Sequence, residues 1–350
     1  MTKSSITNSP RSTHSGAARI SPIVTLIVMA PVVSELLYGA VRISDIPILL
    51  IEVFTWGCGA LLIRESVRRW GKGWKSMLLM GLALAVAEEW VMQQTSIAPF
   101  VALHAYGRFW GVNWVYFLWA LGYESVWVVL IPVQLTELLF SSRRNELWLC
   151  TRGMVFAAAG FLLGACAAWY GWTQRARVKI FHMPPYSPPP GYLLIGVVLV
   201  VLLVLGAYAL PAYRPGQYRN TSLSVPPAWL AGLIFCGLGT PWAAAALVGW
   251  GRGSLPEVPF GSVLAAGLSW AVLTFFLVGR WTACERWGDQ HRFALVFGGV
   301  LACMLGGFWV FRTGGALRID WIGKAVLNMI ALFGLFRLGS SLTNTKGTQA

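Results

Sequence analysis

Six glutamates lie inside apolar stretches of the N-terminal part of this chain. They are Glu35, Glu52, Glu88, Glu89, Glu124 and Glu137. An ionisable side chain in an apolar environment indicates a chemical role. A carboxylate within a bilayer is costly unless it is protonated or paired, so such residues usually mark an ion path, a proton relay or a reactive site. The chain has only 13 Asp and Glu, and the later apolar stretches contain none in their interiors. We therefore expect the chemistry in the N-terminal part.

The positions of these glutamates along their apolar stretches predict that several of them meet. A helix rises about 1.5 Å per residue, which puts Glu35, Glu52 and the Glu88–Glu89 pair at similar depth in the non-cytoplasmic half of a membrane. Glu124 then lies nearer the middle, and Glu137 near the cytoplasmic end. Successive side chains on an α-helix point about 100° apart, so Glu88 and Glu89 are not expected to share a proton directly. We expect a polar pocket walled by the first four helices.

The segment around the glutamate pair resembles a known family of membrane enzymes. The residues from Glu88 to Gln93 read EEWVMQ, and those from Phe100 to His104 read FVALH. They resemble the E-E-x-x-x-R and F-x-x-x-H motifs of CAAX-type (CPBP) intramembrane proteases. This resemblance implies a membrane-embedded hydrolase with Glu88, Glu89 and His104 as catalytic residues. One of the glutamates would act as general base and His104 as a metal ligand. Gln93 stands where the family has Arg, and no third-motif His follows in a later apolar stretch.

A second resemblance covers residues 30–145. The SELL segment at 34–37, the stretch GALLIRESVRRWGKGW at 59–74 and the ELLF segment at 137–140 are similar to a group of uncharacterised bacterial polytopic membrane proteins. This resemblance implies a multi-pass protein of a bacterial cell membrane and carries no known activity.

The composition excludes a soluble protein. Hydrophobic residues make up 57% of the 350 residues and charged residues 11%, whereas soluble domains carry about 25% charged residues. The net charge of +14 comes from Lys and Arg in short connections between apolar stretches, as topology signals require, and no nucleic-acid-binding motif is present. The six Cys form no C-x-x-C pair, which excludes a zinc knuckle or a disulfide framework.

Ten apolar stretches are long enough to approach the thickness of a bilayer. We therefore predict an all-α, polytopic fold of about ten transmembrane helices. Lys and Arg favour one set of connections by about two to one, which puts both termini in the cytoplasm. The stretches lie at 21–40, 46–63, 76–94, 112–139, 153–172, 192–211, 227–250, 260–279, 293–311 and 321–339.

These stretches divide the chain into parts of different character. A four-helix part with buried charges is predicted at 21–140, and a five-helix apolar part at 192–339. They are joined by a fifth helix at 141–172 and a Pro-rich loop at 173–191. The tails at 1–20, predicted to be disordered, and at 340–350 are expected in the cytoplasm.

The sequence leaves three alternatives for the function of this protein. The first is a proton- or cation-linked transporter whose pathway is built from Glu35, Glu52, Glu88, Glu89 and Glu124. The second is the metal-dependent hydrolase implied by the protease resemblance. The third is a non-catalytic membrane scaffold. The partners expected are the lipid bilayer and a small solute or ion, without nucleic acid, and no cofactor is assigned. Nucleotide hydrolysis and serine-hydrolase chemistry are excluded, because the chain has neither a P-loop nor a G-x-S-x-G elbow.

Overall fold

A computed structural model describes residues 21–99, 106–212, 224–249, 257–313 and 315–347. Each predicted apolar stretch contains a long helix, so the prediction of an all-α protein is confirmed for this part of the chain. The long helices are α1 (Pro22–Leu36), α2 (48–69), α3 (74–92), α4 (Trp114–Leu139), α5 (Thr151–Lys179), α6 (Pro190–Ala209), α7 (Ala228–Ala244), α8 (Phe260–Thr282), α9 (Asp289–Thr313) and α10 (Arg318–Gly347).

Short elements fill the connections between these helices. Single turns of 3₁₀ helix lie at Ile43–Asp45 and Ser141–Arg143, and a short α-helical turn at Ala246–Gly249. Between α3 and α4, β1 (Arg108–Phe109) and β2 (Val112–Asn113) form an antiparallel hairpin. These pieces return the chain sharply from one long helix to the next.

Capping residues mark where two helices of the N-terminal part begin. The hydroxyl of Ser21 accepts a hydrogen bond from the backbone N–H of Ile23, and Pro22 occupies the first turn of α1. The side chain of Asn113 accepts one from Tyr116 at the start of α4. Both arrangements satisfy N–H groups that lack a partner within the helix. The local sequence thus sets these helix starts.

In the described residues, six helices are long and apolar enough to cross a membrane, namely α4, α5, α6, α8, α9 and α10. The helices α1 and α7 are apolar but shorter. Large apolar side chains such as Leu202 on α6 and Phe276 on α8 are more than half exposed, which suits contact with lipid tails. The chain is therefore a helical protein with six candidate membrane spans among these residues.

The helix α4 lies at the centre of the packing. One of its faces contributes Trp127 and Ile131 to an apolar core shared with α1, α7, α9 and α10. Another face contributes Val129 and Val133 to a second core shared with α1, α2, α3 and α5. The helix that carries Glu124 and Glu137 therefore contacts both halves of the protein.

Glycines allow close helix contacts at two places in the fold. A Cβ atom added to Gly164 would lie 2.6 Å from the backbone nitrogen of Thr55 on α2. One added to Gly298 on α9 would lie 2.2 Å from the carbonyl oxygen of Gly232 on α7. Glycine at these positions lets the backbones approach where a side chain would clash.

Two helices extend beyond the apolar stretches that predicted them. The predicted Pro-rich loop at 173–191 begins later, since α5 continues to Lys179. Near the end of this helix, buried Arg177 donates hydrogen bonds to the carbonyls of Pro184 and Pro99. These bonds satisfy the guanidinium group, which therefore does not need contact with water. The helix α10 continues to Gly347 into the predicted tail at 340–350, where the hydroxyl of Ser340 donates a hydrogen bond to the carbonyl of Phe336. The predicted tail at 1–20 lies outside the described residues.

Candidate functional site

The helices that carry the candidate carboxylates widen into π-helical turns at those positions. Such turns inside α-helices are frequent at functional sites, because they re-aim side chains without ending the helix. The turn Tyr170–Ala176 in α5 contains no carboxylate. The others are Val32–Leu36, which contains Glu35, Val53–Gly57, directly after Glu52, Glu88–Met92, which begins with Glu88, and Glu124–Leu130, which begins with Glu124.

The carboxyl groups of Glu88, Glu89 and Glu124 converge on one point between α3 and α4. Each contributes an oxygen atom to a group in which all members lie within 4.8 Å of one another. All three side chains are buried, with 4%, 1% and 7% of their residue surface exposed. Glu88 lies within hydrogen-bonding reach of both other carboxyls. The sequence did not determine whether Glu124 faces the Glu88–Glu89 pair, and in the structure it does.

The expectation that the side chains of Glu88 and Glu89 point apart does not hold, because their carboxyl oxygens lie within 4.8 Å of each other. It assumed the 100° spacing of a regular α-helix, whereas these residues open the π turn of α3. A π turn reduces the angle between successive side chains, and a glutamate has three rotatable bonds with which to reach a common point. The two carboxyls consequently lie within hydrogen-bonding reach of each other.

Ser96 orients Glu89 and was missed by the sequence reasoning. Its backbone N–H and its hydroxyl both donate to Glu89 Oε2, at 2.8 and 2.5 Å. The chain reverses after α3 through Gln94, which has a positive φ of 61°, and this reversal returns Ser96 to the end of the helix. In the sequence, the only indication of this contact was a Ser a short distance after a Glu in an apolar stretch. The two side chains meet only because the chain reverses between them, which the sequence did not show.

Arg108 lies in the hairpin that follows the loop of Ser96, and its side chain binds backbone carbonyls of this region. Its guanidinium donates hydrogen bonds to the carbonyls of Ile97, Ala98 and Gly111. Tyr186 donates to the carbonyl of Ile97 as well. Arg108 therefore holds the loop that carries Ser96, and it is not among the ion pairs of the described residues.

The cluster lacks basic partners. In the part of the chain that the structure describes, no Lys or Arg forms an ion pair with Glu88, Glu89 or Glu124. One oxygen atom of Glu88 and one of Glu124 are buried without a hydrogen-bond donor from the described residues. Three negative charges at this distance in surroundings of low dielectric constant repel strongly. The arrangement can persist only by taking up protons or a cation.

Glu35 and Glu52 lie beside this cluster without joining it. Their charges interact with each other and with that of Glu124. Glu52 is buried and one of its oxygens has no donor, whereas Glu35 Oε1 lies 3.3 Å from the hydroxyl of Ser34. All five predicted pathway residues are thus neighbours in one electrostatically connected region. His104, the sixth predicted site residue, lies outside the described residues.

Glu137 differs from the other intramembrane candidates. It is 2% exposed and pairs with Arg68 at 2.5 Å and with Arg64 at 3.2 Å. Arg64 also pairs with Glu65, which accepts hydrogen bonds from the backbone N–H of Trp148. Two arginines and two glutamates balance here, so this buried network joins α2, α4 and the connection to α5 and needs no further ion.

Comparisons with protein-family profiles, with curated proteins and with solved structures find no match for this chain.

Proposed function

We propose that this protein is a multi-pass membrane transporter that moves protons or another small cation, with Glu35, Glu52, Glu88, Glu89 and Glu124 as its ion pathway. In this proposal it spans a bacterial cell membrane with ten helices and has both termini in the cytoplasm. The observation that carries the proposal is the convergence of three buried carboxyls from α3 and α4 within 4.8 Å of one another, without a basic partner among the described residues.

Transport accounts for this arrangement better than a scaffold does. A scaffold needs its buried charges balanced, as they are where Arg64 and Arg68 pair with Glu137. Unbalanced carboxyls cost stability in a membrane protein, and residues that cost stability are typical of functional sites. Reversible binding of a cation or proton explains the uncompensated negative charge, because the charge of the site then changes as the ion binds and leaves.

The hydrolase alternative has no observation in the described residues that favours it over transport. Its proposed metal ligand, His104, lies outside them, and the described cluster has only carboxylate ligands. The hydrolase and transport proposals differ in their requirement for His104, since a hydrolase needs this residue and a carboxylate pathway does not.

Ion flux into proteoliposomes tests the proposal. Purified protein is reconstituted, an interior-negative potential is imposed, and internal pH, ²²Na⁺ uptake and ⁴⁵Ca²⁺ uptake are followed. We expect wild-type vesicles to take up at least one of these ions, and Glu88→Gln to reduce this uptake at least tenfold. Glu146→Gln is the matched control, because Glu146 has a 56% exposed side chain outside the cluster.

The outcomes separate the function classes. The absence of flux in the wild type, or flux that is indifferent to Glu88→Gln, contradicts the transport proposal. Flux that survives His104→Ala but not Glu88→Gln supports it and argues against the hydrolase.

A further inference from the structure

We infer that Glu88, Glu89 and Glu124 bind one hard divalent cation of the size of Ca²⁺. The inference rests on the proposed function and deepens it, because it names the class of cation that occupies the pathway. It is carried by the ligand atoms, the size of the site and the charge balance.

The available ligand atoms are all carboxylate oxygens. Ser96 occupies Oε2 of Glu89 through two hydrogen bonds, which leaves the other oxygen of Glu89 and both oxygens of Glu88 and Glu124. The described cluster has no His or Cys member. Oxygen-only ligand sets favour hard cations such as Ca²⁺ and Mg²⁺ over Zn²⁺ or Cu²⁺.

The unpartnered oxygens are the second observation that indicates a ligand. Glu88 Oε2 and Glu124 Oε2 are buried without a donor in residues that are 4% and 7% exposed. Both residues also contribute a ligand atom to the convergent group. Buried polar atoms almost always have a partner, and a cation bound between α3 and α4 would supply it.

The size of the site suits Ca²⁺, and Mg²⁺ is disfavoured because it demands near-ideal octahedral geometry and usually keeps several waters. Two oxygens that bind one ion can be separated by at most twice the metal–oxygen distance, which is about 4.6–5.2 Å for Ca²⁺ and about 4.0–4.2 Å for Mg²⁺. The ligand oxygens of the cluster lie within 4.8 Å of one another, a spacing that one Ca²⁺ ion can span. Ca²⁺ can therefore bind without closer approach of the helices.

The charge balance favours a divalent ion. A divalent cation balances two of the three carboxylates of the cluster and leaves one negative charge. A monovalent cation leaves two charges to be neutralised by protons. Because uncompensated charge in a buried site is strongly unfavourable, a divalent cation suits this site better than a monovalent one.

Equilibrium binding of ⁴⁵Ca²⁺ to the full-length protein in detergent tests the inference. We expect about one ion per chain, displaced by Tb³⁺ and only weakly by Mg²⁺. Bound Tb³⁺ should show luminescence sensitised by tryptophan, since Trp90 follows Glu89 directly and Trp127 lies one turn after Glu124. Glu88→Gln and Glu124→Gln should each weaken Ca²⁺ binding at least tenfold, and Glu146→Gln should not change it.

Glu124→Asp keeps the charge while shortening the side chain, and it should retain part of the affinity. This variant and the size-exclusion profile of each variant together distinguish the loss of a ligand from loss of binding through misfolding. The inference is overturned if wild-type protein binds no Ca²⁺ at millimolar concentration, or if binding survives both Gln substitutions. If Ca²⁺ binding is absent while proton or Na⁺ flux still depends on Glu88, only this inference fails. If flux is absent too, the proposed function fails with it.

Discussion

Ser96 gives both of its hydrogen-bond donors to one oxygen atom of Glu89. The N–H and the hydroxyl lie 2.8 and 2.5 Å from Oε2, and Ser96 has no exposed surface. The second oxygen of Glu89 is thereby left to face Glu88 and Glu124. This pair links the loop after α3 to the orientation of the carboxylate cluster.

Replacement of Ser96 by Ala should disturb the cluster without removing a carboxylate. The variant loses the hydroxyl and keeps the N–H, so Glu89 is held by one donor instead of two. We expect a loss of about 1–3 kcal/mol in the free energy of unfolding and at least a threefold lower flux in proteoliposomes. Ser96→Thr retains the hydroxyl and should restore more of the flux than Ala does. Equal flux in the wild type and in Ser96→Ala would show that the hydrogen bond does not orient the site.

Two glutamates of the same helix should respond to the same substitution in opposite ways. Glu124→Gln removes a charge that has no basic partner in the described residues, so thermal denaturation in detergent without added divalent cations should occur at higher temperature. Glu137→Gln leaves Arg64 and Arg68 without their shared partner and should cost about 3–5 kcal/mol. Melting temperatures of the two variants measure this difference. A lower melting temperature for both would indicate that Glu124 is a structural residue.

Cys150 should react as a thiolate at lower pH than an ordinary cysteine. It is exposed at the N-terminus of α5, where the backbone N–H of Gly153, aided by that of Arg152 and by the charge of Arg69, lowers its pKa. The thiolate is the reactive form, and a lowered pKa means that it forms earlier as the pH rises. The alkylation rate plotted against pH should therefore reach its midpoint below that of N-acetylcysteine.

The same thiol reports the orientation of the chain. In a Cys166→Ala background, which removes the other exposed cysteine of the described residues, a membrane-impermeant maleimide should label Cys150 only after the cells are permeabilised. Labelling of intact cells would reverse the proposed topology. Cys150→Ser provides the background signal.

Gly164 should be intolerant of any side chain. A Cβ atom there would lie 2.6 Å from the backbone of Thr55, and backbone yields less easily than a side chain. We expect Gly164→Ala to destabilise the protein by about 1–3 kcal/mol. Gly171→Ala, in the same helix, has no neighbouring atom within 4 Å and should be neutral or slightly stabilising. Thermal denaturation of both variants tests whether α2 and α5 pack as closely as described.

The sequence by itself determined the class of this protein and the positions of its long helices. Hydrophobicity and helix periodicity are properties of neighbouring residues, so the apolar stretches predicted α1 to α10 to within a few residues, except where α2, α5 and α10 run on through polar side chains. The unusual glutamates were also visible, because a charge in an apolar stretch is conspicuous whatever surrounds it.

The partners of those glutamates were decided only by the tertiary structure. Glu124 and Glu137 lie on one helix and look alike in the sequence, yet Glu124 meets Glu88 and Glu89 whereas Glu137 meets Arg64 and Arg68. The partner of a buried charge depends on the rotation and packing of separate helices and on π turns that change the direction of a side chain. These features arise from contacts between residues far apart in the chain, and the local pattern around a glutamate does not encode them.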